Sequence, residues 1–238
     1  MVPQVNVSSW YFLPLYFQSS RSSTPFQSGL LLVPITVIQA LTGVAAGWIV
    51  RRTGQYLYLI YAGLFLSTTG FSLFIMLSAT TPLSVVIILE LIAGLGIGMV
   101  FQPPLIALQS LVSNEDIAVA TAFFGFVRSF STSVSIVIGG LVFQNTMEAH
   151  ANGLVSVLGP TEAGLFSGKN AAANVDIIGT LNEAQQVVVK KAFAASLSKM
   201  WILYACVAAV GLVLSFGIDG KVLKKHKKDE KNQVSTGA

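Results

Sequence analysis

Charge is the scarcest ingredient of this sequence. Only 10% of its 238 residues are charged, where a soluble domain carries about 25%. Cysteine is nearly absent too: Cys206 stands alone inside an apolar run, which excludes an intrachain disulfide framework. Two histidines, His150 and His226, have no plausible ligand partners and no metal-ligand cluster is seen, so no metal centre is expected. No G-x-x-x-x-G-K-[ST] loop is present for ATP, and the glycines around Gly94–Gly98 lack the strand–turn–helix context of a dinucleotide site. No nucleophile–base pair stands out either. The sequence therefore points away from an enzyme and implies no cofactor.

What remains is grease. Hydrophobic residues make up 53% of the chain and the mean hydropathy is +0.72. Crossing a hydrocarbon core of about 30 Å takes about 20 apolar residues. Five segments meet that length: 28–50, 56–77, 83–112, 117–143 and 200–218. A sixth, 5–18, is apolar but short and begins almost at Met1, which reads as the second half of a helix or as an interfacial segment. The expected architecture is thus an all-α membrane domain over 1–219 with six spans, the first truncated. The bilayer itself is its first partner.

The connections are short and polar, apart from a long loop over 148–199. Thr180-Leu181-Asn182-Glu183 fits a capping box, and Val189, Phe193 and Leu197 follow at four-residue spacing. That pattern predicts an amphipathic helix lying at the membrane interface before the last span. Six lysines crowd into the final residues (Lys221, Lys224, Lys225, Lys227, Lys228 and Lys231), so the basic excess is a juxtamembrane tail over 220–238 and no nucleic-acid footprint. With five reversals this tail and the Arg51-Arg52 turn share one side, read as cytoplasmic, which makes the long loop extracytoplasmic.

Within the spans, polar residues need a reason. Glu90 is the only acid of the fourth span and Arg128 the only base of the fifth. A charge at the bilayer centre costs about 2.5–3.5 kcal/mol even on permissive scales, so such groups face a cavity or a partner. Their depths overlap, which makes an ion pair one expectation. The other has Glu90 reaching the headgroups and Arg128 pairing with backbone carbonyls. The fourth span also carries Gly94, Gly96 and Gly98, which admit a neighbouring backbone, and Pro103-Pro104, which kink the helix. Gln102 and Gln109 lie two turns apart on one face, either lining a polar path or bonding to neighbouring helices. Gly43 and Gly47 form a small-xxx-small packing pattern.

Several of these stretches resemble a known family. Tyr11-Phe12-Leu13-Pro14-Leu15-Tyr16-Phe17-Gln18 with Val33-Pro34, and Gly94-x-Gly96-x-Gly98-x-x-Phe101-Gln102-Pro103-Pro104-Leu105-Ile106-Ala107-Leu108-Gln109, are similar to the fourteen-span drug:proton antiporters of the major facilitator superfamily, fungal members above all. So are Ala120-Thr121-Ala122 with Arg128, and Gly139-Gly140 before Phe143-Gln144-Asn145. The turn through Arg52 and Gly54 resembles a weak copy of the superfamily's cytoplasmic loop motif, but Arg51 stands where the motif's aspartate would be.

The resemblance covers only the six-helix C-terminal half. It implies a multi-pass efflux antiporter, in the plasma membrane rather than the vacuolar one. Small-molecule substrate, protons and a missing N-terminal half would be its partners. It also implies that the first, second, fourth and fifth helices face the cavity, making Thr36, Gln39, Gln102, Gln109 and Arg128 the pathway candidates. The alternative is a truncated membrane protein with an assembly role and no transport of its own.

Overall fold

The computed structural model describes residues 2–216, residues 2–10 by their backbone alone. The basic tail, 220–238, and the last residues of the sixth expected span lie outside the described residues.

Among the described residues there is no strand. Helix α1 (Val2–Arg21) is followed by α2 (Pro25–Leu31) and α3 (Val33–Thr53), then α4 (Leu57–Phe74), α5 (Leu83–Phe101), α6 (Pro103–Gln109) and α7 (Ile117–Ala149). Three short helices come next: α8 (Ala151–Leu158), α9 (Pro160–Leu165) and α10 (Asn170–Ala173). A 3-10 turn (Val175–Thr180) leads into α11 (Glu183–Ser215). Five stretches are long and apolar enough to cross a membrane: Pro25–Thr53, Leu57–Phe74, Leu83–Gln109, Ile117–Ala149 and Glu183–Ser215. The short first segment proves to be part of the 20-residue α1, which extends past it at both ends.

Local chemistry sets the boundaries. Thr24 caps α2 by accepting from the Gln27 N–H, while the Gln27 side chain answers with the Thr24 N–H, and Pro25 stands in the first turn, where its missing N–H goes unnoticed. Pro34 then breaks the run at Leu32, dividing α2 from α3. Gly54 ends α3 with φ 74°, the left-handed conformation that glycine adopts without a Cβ penalty. Its N–H closes on the Val50 carbonyl at 2.8 Å.

The helices alternate in direction. At one end of the bundle the turn over 75–81 is fastened by three distant side chains. Tyr16 donates to the Ser78 carbonyl (2.8 Å), Arg21 to the Thr81 carbonyl, and Ser198 to the Ile75 carbonyl (3.0 Å). The same end carries a feature that differs from the expected loop and interfacial helix. Helices α7 and α11 each run 33 residues, or about 50 Å, so they outrun a bilayer and project beyond it. The short helices α8–α10 and the 3-10 turn fill the wedge between them. Leu154, Phe166 and Ile178 from that cap are fully buried with Val189, Phe193 and Leu197 of α11. The amphipathic stretch predicted to lie on the membrane is therefore the first half of α11, and its apolar stripe faces the cap. Its N-cap is Asn182, paired with Gln185, instead of Thr180.

Lower down, the bundle closes around aromatics. Trp201 of α11 packs on Phe74 and Phe71 of α4, with ring centroids 5.1 and 6.4 Å apart. Phe12, Leu13 and Tyr16 of α1 join the same core.

Candidate functional site

Helix α5 lies between α3 and α4, and its glycines make that possible. Gly94 and Gly98, one turn apart, sit against α3: a Cβ at Gly98 would come within 2.6 Å of the Gln39 carbonyl oxygen and 3.0 Å of the Gly43 nitrogen. Gly96 points the other way, against the backbone of Leu66 and Ser67 on α4. Gly63 and Gly70 of α4 answer, meeting Val100, Met99 and Ala93. Small residues thus bring three backbones into contact, the packing mode of helices in lipid. The Gly43–Gly47 pattern contributes only through Gly43, because nothing stands within 4 Å of a Cβ at Gly47.

At Gln102 the helix breaks. Pro103 and Pro104 have no N–H to offer the carbonyls of Met99 and Val100, and the chain restarts as α6. The guanidinium carbon of Arg128, on α7, lies 3.8 Å from the centroid of Phe101 at this break. Further along, the Gln109 amide donates to the Thr121 hydroxyl at 3.1 Å, tying α6 to α7. Gln109 thus acts as glue in this structure, while Gln102 is exposed. Phe101 and Thr121 stand in the sequence only as parts of the resembling motifs, with no role of their own. The flanking of one short turn by Gln109 and Thr121 was the available signal.

Glu90 and Arg128 are not brought together. Glu90 is 0% exposed, and neither carboxyl oxygen has a hydrogen-bond partner. The reason is length: eleven residues of α5 separate Glu90 from Phe101 and the cation above it, about 16 Å along the axis. Depth estimated on each helix separately could not reveal this.

The remaining candidates lie along α3. Thr36 is half-buried and bonds back to the carbonyls of Leu32 (3.1 Å) and Val33 (2.9 Å). Gln39 is buried against α5, its side-chain amide oxygen Oε1 without a hydrogen-bond partner. Arg52, at the far end of α3, sets its guanidinium 5.2 Å from the Trp48 ring centroid. The side that carries Gln102 and Arg128 is also the barest. Only 11% of the most apolar stretch of α7 is buried, and Phe123, Phe126 and Phe130 stand exposed, the latter two stacked.

A bundle of antiparallel apolar helices, joined by glycine contacts and broken by proline beside a cation, is an integral membrane protein of the polytopic helical class. Residues 2–136 match the model of the Major Facilitator Superfamily, and the chain belongs to that family. It is similar to the MFS-type transporter ppz2 of Metarhizium majus, 41% identical over 219 residues that cover 92% of this chain and 38% of that protein. It is likewise similar to the efflux pump dotC of Dothistroma septosporum, at 38% identity over 87% of this chain and 36% of the pump. A third relative, the MFS-type efflux transporter pyiT of Pyricularia grisea, is 29% identical over 98% of the chain and 39% of its own length. The chain therefore spans less than two fifths of the length of these relatives. No solved structure matches it.

Proposed function

We propose that this chain is the C-terminal half-bundle of a proton-coupled exporter of small molecules, and that its bare α3–α6–α7 side is one wall of the substrate path. The observation that carries this reading is Arg128. It is a cation well inside a membrane span, seated on Phe101 where prolines open the helix backbone, on a side the other described residues leave uncovered. Intramembrane charges so placed mark substrate and ion pathways. A second, pseudo-symmetric half would cover that side, as in carriers that rock two bundles about a central site. Thr36, Gln102 and Arg128 then contribute polar contacts to the path, with Gln39 and Gln109 bracing it from behind. Kin named as transporters and efflux pumps support export as the direction. The Arg51-Arg52 end is cytoplasmic on this reading, and the cap faces outward.

The test uses this half joined to an N-terminal half from a relative such as dotC, expressed in dye-loaded cells, with efflux followed by fluorescence. A desolvated cation–π contact contributes about 1–2 kcal/mol, so Arg128→Ala should slow efflux about tenfold. Arg128→Lys keeps the charge without the planar stack and should fall between Ala and the parent. Equal rates for all three would remove Arg128 from the path. Cells expressing the 238-residue chain alone should show no efflux above background.

A further inference from the structure

The open α3–α6–α7 side carries charge of one sign. Arg128 is half-buried on α7, its guanidinium carbon 3.8 Å from the Phe101 ring centroid. A planar guanidinium at that distance meets the ring with its face, and its N–H donors lie along its edge, where one carboxylate takes a bidentate pair. The Arg128 backbone carbonyl accepts from Thr132. Among the described residues, however, no carbonyl or carboxylate takes the guanidinium donors, which stay accessible. Gln102, exposed beside Phe101, adds an amide at the same break in the helix.

The described acids are placed elsewhere. Glu90 is 0% exposed within the core and does not look onto this side. Glu115 and Asp116 stand in the turn before α7, where Ser113 donates to Asp116 at 2.6 Å. Twelve residues separate Asp116 from Arg128, or about 18 Å of helix. Glu148, Glu162, Asp176 and Glu183 all belong to the far end of the bundle, around the cap. Along α3 the exposed residues between Val33 and Ile49 are apolar, Val37, Leu41 and Val44 among them. An apolar wall with one cation and no acid beside it favours an anion and repels a cation, because charges act strongly where water is scarce.

We propose that the substrate of this wall is an organic anion, a carboxylate or phenolate on an apolar body, and that Arg128 selects its charge. The anionic oxygens accept from the edge of the guanidinium, while Phe101 holds the guanidinium from behind. The apolar body lies against the greasy surface that surrounds the charge. A cation of the same size and shape finds no acid on this wall and is repelled by Arg128, so discrimination comes from both attraction and repulsion. The proposal rests on the exporter reading above and narrows it from small molecules in general to one charge class.

The test compares two fluorescent dyes on the same xanthene skeleton, anionic carboxyfluorescein and a cationic rhodamine ester, using this half joined to the N-terminal half of a relative. Efflux is followed in cells, and binding by fluorescence anisotropy of the purified joined protein in lipid nanodiscs. The parent should export carboxyfluorescein in preference to the rhodamine ester. Arg128→Ala should slow carboxyfluorescein about tenfold and leave the rhodamine ester unchanged or faster. Arg128→Glu should reverse the preference, and Arg128→Lys should keep it at a lower rate. The parent's own preference answers the question even if a variant fails to fold. A parent that prefers the cation would overturn the proposal. So would an equal loss of both dyes in Arg128→Ala, which would mean that Arg128 joins the two halves instead of reading the substrate. If carboxyfluorescein binds through Arg128 but is not exported, the exporter reading fails and the anion site stands. If both dyes are exported alike whatever replaces Arg128, the exporter reading stands and the anion site fails. Neither binding nor export of carboxyfluorescein would also sink the anion site.

Discussion

Helices α5 and α7 are both apolar, both carry glycines and both hold one ionisable residue within the span, yet the fold treats them in opposite ways. The span through α5 and α6 has 44% of its most apolar stretch buried; in α7 the figure is 11%. The glycines explain the difference. At Gly94, Gly96 and Gly98 a Cβ would run into backbone on α3 or α4, whereas at Gly125 and Gly140 it would meet nothing within 4 Å. The ionisable residues follow suit: Glu90 is sealed in the core, and Arg128 is half-buried at the edge of the bare side. One helix is the keystone of the bundle, and the other is a surface prepared for something else. In lipid, where apolar side chains gain nothing from leaving water, close backbone approach separates the two roles.

The largest expected effect lies at the keystone. Gly96→Ala would push a methyl group into the Ser67 and Leu66 backbone, which cannot rotate away as a side chain could. Overpacking of this kind costs about 1–3 kcal/mol, and the thermal midpoint of the detergent-solubilised chain should fall clearly. If the midpoint did not move, α5 would not be clamped by α4 and the contrast with α7 would lose its basis.

A middle effect is expected where α7 is closed against α11. Gly139 faces Tyr204, whose hydroxyl donates to the Ser135 carbonyl at 3.0 Å, and an added Cβ would strike that hydroxyl. A tyrosine can swing aside where a backbone cannot, so Gly139→Ala should cost about 1 kcal/mol, the loss of one net hydrogen bond. The same midpoint measurement, with Tyr204→Phe/Gly139→Ala as a check, separates steric from hydrogen-bond loss. The double variant should recover part of the stability because the displaced oxygen is gone.

Much of this was legible in the sequence for a definite reason. A span must be continuous and apolar, so its existence is written in one stretch of chain. The boundaries of α3 and α4 fall within a few residues of the segments 28–50 and 56–77. The kink at Gln102 was readable from Pro103-Pro104 alone. The cap was not, because α8, α9 and α10 are 8, 6 and 4 residues long, too short for periodicity to declare them. Their apolar residues acquire meaning only against Phe193 and Val189. Likewise, the ionic partner expected for Arg128 came from counting turns along each helix. Phe101 became its neighbour because prolines re-aim the end of α5, which only the assembled bundle reveals.

The smallest effect sharpens the comparison most. Gly125 lies one turn before Arg128 on α7 and has open space beyond its Cα. Alanine there removes the helix penalty of glycine, up to about 1 kcal/mol, and introduces no contact within this chain. Gly125→Ala should therefore leave the midpoint of the isolated chain unchanged or slightly raised. If the bare side of α7 is the place where a second half docks, the same methyl group should instead impair efflux in the joined two-half protein, because the approach allowed by glycine would be lost. A variant that is neutral in one setting and harmful in the other would mean that the openness of α7 belongs to this chain alone. A variant neutral in both would place Gly125 toward lipid and move the docking surface to another part of the bare side.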